Sequence, residues 1–302
     1  MLWMFVIAIA YFLNASAVTI DKFLLSKKMQ NPAVYSFFIS VLSLLGVVLI
    51  PFGFHFVSLE QTLIAFGTGI VFTFAYLFMF YALNGNEATR ITPFMGGLQP
   101  IFVFFLAWIF LGEFLSPMAI IAFVVIVIGT IIISRQHDKN KKQQSISRKS
   151  YIYAIISTLL FAIAYTLTKY VYIEDGFITG FVLTRIGTAI GALLLLIPPK
   201  NLKDIINEIK KPKQKTGGLF LVGQGAGALS FILVSYAIAI SSSVAIVNAS
   251  RGLEYVFLLL IIGALSIKYP KLLKEKMSRA IIWRKTIATM CIIIGLVLLA
   301  FS

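Results

Sequence analysis

Ten apolar stretches of membrane-spanning length follow one another along almost the whole chain. A helix that crosses a bilayer needs about 20 mostly apolar residues, and each stretch has roughly that length. The mean hydropathy of +0.97 and the 60% share of hydrophobic residues exceed what the core of a water-soluble domain needs. The sequence therefore predicts an all-α membrane protein with ten transmembrane helices, at residues 2–20, 33–52, 62–83, 91–111, 117–134, 151–173, 177–197, 217–240, 242–267 and 283–301.

The basic residues lie on one side of the predicted membrane. Of the 26 Lys and Arg residues, all but Lys169, Arg185 and Arg251 fall in or beside the odd-numbered connections between these helices. Because Lys and Arg accumulate in cytoplasmic loops, we expect the odd-numbered connections in the cytoplasm and both termini outside. The net charge of +15 then follows from membrane topology, so the sequence does not indicate binding to nucleic acid.

The two halves of the chain repeat one pattern. Residues 81–110 and 236–265 both begin with Tyr-Ala and continue through a small polar stretch into a long apolar run. We therefore predict two five-helix repeats, 1–134 and 151–302, joined by the basic cytoplasmic connector 135–150. Because five is odd, the two halves would have opposite orientations, and inverted repeats of this kind are typical of secondary transporters.

The fourth apolar stretch resembles a known family. Its sequence ATRITPFMGGLQPIFVFFLAWIFLGE (88–113) combines a small polar beginning, Pro100, an aliphatic run and a final Leu-Gly-Glu. It is similar to the EamA-type branch of the drug/metabolite transporter superfamily, although the second half departs from the motif at Tyr255 and at Ile267-Lys268. The resemblance implies ten helices and the transport of amino acids, other metabolites or drugs. Members are often drawn with cytoplasmic termini, whereas the charge distribution here predicts the opposite.

Three charged side chains lie well inside predicted helices, namely Arg185, Arg251 and Glu254. A charge at the bilayer centre costs roughly 2.5 to 3.5 kcal/mol, so such residues usually face a cavity and have partners. Arginine suits a carboxylate because its planar fork donates two parallel hydrogen bonds. One hypothesis is that Arg185 and Arg251 bind an anionic substrate, while Glu254 holds Arg251 or takes up a proton. The alternative is that Arg251 and Glu254 only neutralise one another.

Uncharged polar residues in the middle of predicted helices are weaker candidates for substrate binding. Residues three or four apart share a helix face, which places Asn248 and Tyr255 on one stripe with Arg251 and Glu254. Other amides could bind substrate or simply join helices by hydrogen bonds; these are Asn14, Gln99 and Gln224.

Enzyme chemistry has no support in the sequence. Both histidines lie in connections, and the single cysteine, Cys291, excludes an intramolecular disulfide. No metal-binding or catalytic motif is present. We therefore predict no catalysis, no metal and no cofactor.

The function that we expect is secondary active transport of a small organic metabolite across the plasma membrane by alternating access. The surplus of arginine favours an amino acid or another carboxylate, and proton coupling through Glu254 is a hypothesis. Multidrug efflux and the translocation of a lipid-linked carrier are the alternatives within transport, and a membrane enzyme or a non-transporting scaffold are alternatives of another class. The expected partners are a small-molecule substrate and membrane lipid, with a homodimer left open.

Overall fold

The computed structural model describes residues 2–24, 31–84, 88–134, 147–210, 218–268 and 279–301. Within these ranges all regular secondary structure is helical, which confirms the predicted all-α class. The helices are α1 (Leu2–Leu24), α2 (Pro32–Leu42), a 3-10 helix (Ser43–Phe52), α3 (Leu59–Leu83), α4 (Ala88–Leu111), α5 (Pro117–Ser134), α6 (Arg148–Asp175), α7 (Phe177–Leu194), α8 (Pro199–Lys210), α9 (Gly218–Ile240), α10 (Val244–Ala249), α11 (Gly252–Lys268) and α12 (Arg279–Ala300).

Seven helical stretches in the described part of the chain are long and apolar enough to cross a membrane. Three shorter apolar helices accompany them, and all ten overlap the apolar stretches of the sequence. By length and composition the chain is therefore a multi-pass membrane protein. These three shorter stretches are parts of α5, α9 and α12. The count of ten crossings stays a prediction.

Two of the predicted spans are not single α-helices. The second begins as α2 and continues as a 3-10 helix of 10 residues, Ser43–Phe52, although such helices are usually only a few residues long. The ninth is divided into α10 and α11 by a turn at Ser250 and Arg251. The structure also adds a helix that we did not predict, since α8 lies within the connection 198–216.

The chain forms two compact units, and each of them draws on both halves of the sequence. Unit 1 comprises Met1–Lys27, Glu113–Lys142 and Gln214–Ser302, and unit 2 comprises Lys28–Gly112 and Gln143–Lys213. Neither unit coincides with one of the predicted five-helix halves, so the division into 1–134 and 151–302 remains a prediction about the repeat.

The packing within the two units is reciprocal between the halves. In unit 2, the third and fourth spans of the first half, α3 and α4, pack against the first helix of the second half, α6. In unit 1, the corresponding spans of the second half, α9 and α11, pack against the first helix of the first half, α1. Each first helix thus contacts the third and fourth spans of the opposite half.

Glycines bring α3 and α7 close together in unit 2. A Cβ atom on Gly69 would lie 2.5 Å from the carbonyl carbon of Gly187, and one on Gly191 would lie 2.5 Å from Oγ1 of Thr73. Small residues let helix backbones approach in this way. Thr73 Oγ1 also donates a hydrogen bond to the carbonyl of Thr188, at 2.8 Å. The contact fixes the position of α7 relative to α3.

Candidate functional site

Arg185 lies near the middle of α7 and is only 4% exposed. Its guanidinium carbon Cζ is 5.2 Å from the ring centroid of Phe72 and 5.3 Å from that of Phe181. Attraction between a desolvated cation and a ring face is worth about 2 kcal/mol, which offsets part of the cost of burying the charge.

An aromatic cluster of Phe72, Tyr76, Phe161 and Tyr165 joins α3 to α6 on this side of unit 2. The ring centroids of Phe72 and Tyr165 are 5.3 Å apart, and those of Tyr76 and Phe161 are 5.2 Å apart, both with edge-to-face geometry. Phe72 belongs both to this cluster and to the contact with Arg185. The charge therefore lies beside a surface of rings and phenol groups.

The 3-10 helix packs against the stem of Arg185. A Cβ atom on Gly46 would lie 2.7 Å from Arg185 Cγ and 2.8 Å from Phe181 Cε1, both closer than an ordinary van der Waals contact. Ser43 Oγ donates a hydrogen bond to the backbone carbonyl of Arg185, at 3.2 Å. Only glycine fits position 46 without displacing the arginine or the phenylalanine.

Arg251 and Glu254 form an ion pair in unit 1. The distance from Arg251 Nε to Glu254 Oε2 is 3.4 Å, and the exposed fractions of the two side chains are 37% and 8%. The pair spans the start of α11, where Glu254 lies in the first turn. A carboxylate there also interacts favourably with the positive end of the helix dipole. This geometry agrees with mutual neutralisation and leaves a role for Glu254 in proton transfer as a hypothesis.

The predicted stripe of Asn248, Arg251, Glu254 and Tyr255 does not form a continuous helical face, because the helix is interrupted. The N–H of Arg251 donates to the carbonyl of Asn248 at 3.2 Å, three residues back instead of four. Asn248 Nδ2 donates to the carbonyl of Val244 within α10, at 3.0 Å. Tyr255 packs against the apolar cluster around Ile292. Arg251 and Glu254 are brought together by direct side-chain contact.

Glu113 has a structural role that the sequence motif did not reveal. Its two carboxylate oxygens accept hydrogen bonds from the N–H of Val244, at 3.2 and 3.1 Å. This N–H belongs to the first residue of α10, where helix donors have no partner within the helix. The last residue of the Leu-Gly-Glu motif therefore anchors the short helix that precedes the turn at Arg251.

The remaining predicted site residues are dispersed. Asn14 is half-buried on α1 in unit 1, and Gln99 is buried on α4 in unit 2. The side chain of Gln224 lies outside the described residues. Arg185 belongs to unit 2 and Arg251 to unit 1. Among the described residues, no group of three or more His, Cys, Asp or Glu side chains could hold a metal ion.

Comparison with known proteins gives a family for the first half of the chain. Residues 1–135 match the model of the EamA-like transporter family. The match includes the stretch 88–113 and confirms the resemblance that this stretch predicted. Phe72, Tyr76 and Gln99 lie within the matched range, whereas Arg185 lies beyond it.

Comparison with solved structures supports the fold. There are 25 matching chains, and one, described only as a crystal structure of a protein, is 13% identical with a TM-score of 0.67. The match covers 99% of this chain and 96% of that one. At this identity the likeness concerns the fold alone. No curated protein matches this chain.

The sequence alone could identify one of the two aromatic residues that contact Arg185. Phe181 lies four residues before Arg185 in the same helix, and this spacing places both on one face. Phe72 comes from another helix, and no spacing within a single helix would identify it. The contacts of the arginine therefore depend on tertiary packing.

Proposed function

We propose that this protein is a secondary active transporter that moves a small organic metabolite with a carboxylate group across the plasma membrane by alternating access. An amino acid is the concrete candidate. One observation carries the proposal, namely the buried guanidinium of Arg185 in the middle of α7, with Phe72 and Phe181 against it. The EamA-like match over residues 1–135 supports the general assignment to transport.

The arginine favours a carboxylate ligand for physical reasons. Burying a guanidinium is costly, and a charge in a membrane helix is usually retained for function. Its planar fork matches the two oxygens of a carboxylate, and such charge-assisted pairs are about twice as strong as neutral hydrogen bonds. Rings at about 5 Å hold the cation in a low-dielectric setting, where an arriving anion is attracted more strongly than in water.

The aromatic cluster favours a ligand that also has an apolar part. Phe72 and Phe161 are buried, while Tyr76 and Tyr165 are half-buried and add hydroxyl groups. Aromatic side chains provide large apolar contact areas, and tyrosine adds a polar end. An amphipathic carboxylate would use both features, with its charged group at Arg185 and its apolar part against the rings.

Alternating access has structural support in the reciprocal packing and in the interrupted helices. Inverted repeats and broken helices near the membrane centre are recurring features of secondary transporters. We therefore retain ten crossings in two inverted halves, with the odd-numbered connections cytoplasmic and both termini outside. The turn at Ser250 and Arg251 and the 3-10 helix at Ser43–Phe52 are the positions at which such helices would bend.

Glu254 is the residue that we propose for proton coupling. It is 8% exposed and lies 3.4 Å from Arg251 Nε, so protonation would release the ion pair at the start of α11. We expect Glu254→Gln to retain ligand-induced stabilisation and to lose transport driven by a pH gradient. Counterflow, which needs no gradient, should persist in the same variant. Gradient-driven transport at the normal rate in Glu254→Gln would exclude this role.

The substrate class can be tested by a thermal-shift screen of the purified protein. A ligand that binds the native state raises the unfolding temperature by mass action. We would compare amino acids and other carboxylates with their amides and esters, which keep the shape and lose the charge. Arg185→Lys keeps the positive charge but loses the planar guanidinium group. The variant should therefore lose most of the ligand-induced rise in unfolding temperature. The exposed Arg148, changed to Lys, is the matched control and should leave the shift unchanged.

Two outcomes would contradict the proposal. Equal stabilisation by a carboxylate and its amide would show that the negative charge is not recognised. Stabilisation by lipophilic cations or polyprenyl phosphates, and not by carboxylates, would favour drug efflux or a lipid-linked carrier. The unfolding temperature of each variant without ligand shows whether the substitution damages the fold itself.

A further inference from the structure

Helix α8 has an apolar stripe that the rest of unit 2 covers only in part. Leu202, Ile205, Ile206 and Ile209 follow one another at the spacing of one helix face. Ile205 is buried, at 1% exposure, and α8 packs against α2. Ile209, in contrast, is 59% exposed, and Leu202 and Ile206 are exposed as well. The stripe therefore continues beyond its contact with the protein.

The charged side chains of α8 are divided between two sides of the helix. Asp204 and Glu208 are half-buried, and Asp204 Oδ2 accepts a hydrogen bond from Asn31 Nδ2 at 2.5 Å. The three lysines are all exposed, and two of them, Lys203 and Lys210, flank the apolar stripe on the side away from the acids. The exposed surface of α8 thus combines aliphatic and positively charged side chains.

Helix α8 follows directly on α7, which is long and apolar enough to cross a membrane. The helix begins five residues after the end of α7, and Asn201 Nδ2 donates a hydrogen bond to the carbonyl of Leu195, at 3.2 Å. Ile197, in the turn between the two helices, is 72% exposed. Exposed apolar residues therefore lead from the end of α7 into α8.

We propose that α8 lies in the plane of the membrane surface and binds the headgroups of anionic lipids. Its aliphatic side chains enter the boundary between headgroups and acyl chains, while its lysines contact lipid phosphates. Amphipathic helices with lysines on the polar face bind membranes in this way, and basic segments next to membrane helices attract anionic lipid. The division of charge explains how a helix with two acids keeps lysines beside its exposed apolar stripe. The proposal does not depend on which solute is transported.

The orientation of α8 can be tested with single-cysteine variants of the full-length protein. Cys291→Ala removes the native thiol, and Ile209→Cys and Glu208→Cys place a fluorophore on the apolar stripe or on the acidic side. The variants are reconstituted in phosphatidylcholine vesicles, with and without phosphatidylglycerol, that contain nitroxide-labelled lipid. We expect strong quenching at position 209 and weak quenching at 208. Equal quenching at both positions would refute the in-plane orientation.

The preference for anionic lipid is measured at position 209 in the same vesicles. Nitroxide-labelled phosphatidylglycerol should quench several-fold more strongly than labelled phosphatidylcholine. One lysine near an anionic surface strengthens the attraction by about fivefold, so Lys203→Gln should lower this ratio by up to about fivefold. Lys149→Gln, an exposed lysine on α6, is the control and should leave the ratio unchanged. If the parent variant shows no preference for labelled phosphatidylglycerol, the proposal is wrong. Quenching that disappears at high protein density would also refute it, and would assign the exposed face of α8 to a second copy of the chain.

Discussion

Gly67 and Gly69 are two residues apart in α3, and the structure gives them different surroundings. A Cβ atom on Gly67 would meet no heavy atom within 4 Å, whereas one on Gly69 would meet the backbone of α7. The nearest atoms belong to Thr184, Thr188 and Gly187, and the last of these would lie 2.5 Å away. Ordinary contact begins at 3.4 Å, and the other two atoms are closer still, so the two backbones would have to separate by at least about 0.9 Å to admit a methyl group.

The two Gly→Ala substitutions should therefore have opposite effects on stability. Alanine is favoured over glycine inside a helix by about 1 kcal/mol, and Gly67→Ala should gain up to this amount. Gly69→Ala should lose about 1 to 3 kcal/mol, since extra volume in a packed contact has this cost. Thermal unfolding of the two variants should then differ by several degrees, at a few degrees per kcal/mol. An unfolding temperature for Gly69→Ala equal to that of Gly67→Ala would refute the close approach of α3 and α7.

Three further substitutions test other contacts. Gly46→Ala would push Arg185 from its rotamer at a cost of about 0.5 to 1.5 kcal/mol. Ligand affinity in the thermal-shift assay should therefore fall by up to about tenfold. Unchanged affinity would contradict the close contact between Gly46 and Arg185. Glu113→Ala removes the anchor of α10 and should lower the free energy of unfolding by about 1 kcal/mol, while Glu113→Gln, which keeps one acceptor oxygen, should lose less. In a background without the native cysteine, Ser302→Cys should react with an impermeant thiol reagent on intact cells and Gln143→Cys should not; the reverse pattern would invert the proposed topology.

Length and apolarity are enough to predict where helices lie in a chain of this kind. In lipid every backbone hydrogen bond must be satisfied internally, so a long apolar stretch has little choice but to be helical. The same signal does not identify the type of helix. Residues 43–52 have an ordinary apolar composition, and their 3-10 form depends on hydrogen-bond spacing and on packing against α7.

The site was only partly predictable, because its contacts join elements that are distant in the sequence. Burial of Arg185 and proximity of Arg251 to Glu254 follow from single segments, and both could be predicted from spacing. The ring of Phe72, the backbone of Gly46 and the cap from Glu113 come from other parts of the chain. The amphipathic pattern of α8 is present in the sequence. Its 12 residues are too few for a membrane span, so the sequence predicts only a connection there.

The 3-10 helix also affects how far the second span reaches. Each residue advances about 2.0 Å in a 3-10 helix and about 1.5 Å in an α-helix, so the ten residues of Ser43–Phe52 occupy roughly 20 Å instead of 15 Å. Rewinding them would shorten the segment by roughly 5 Å and turn its far end through about 200°. Rewinding the segment as an α-helix would therefore move Gly46 away from its contact with Arg185. The 3-10 form therefore determines both the reach of the second span and the contact of Gly46 with Arg185.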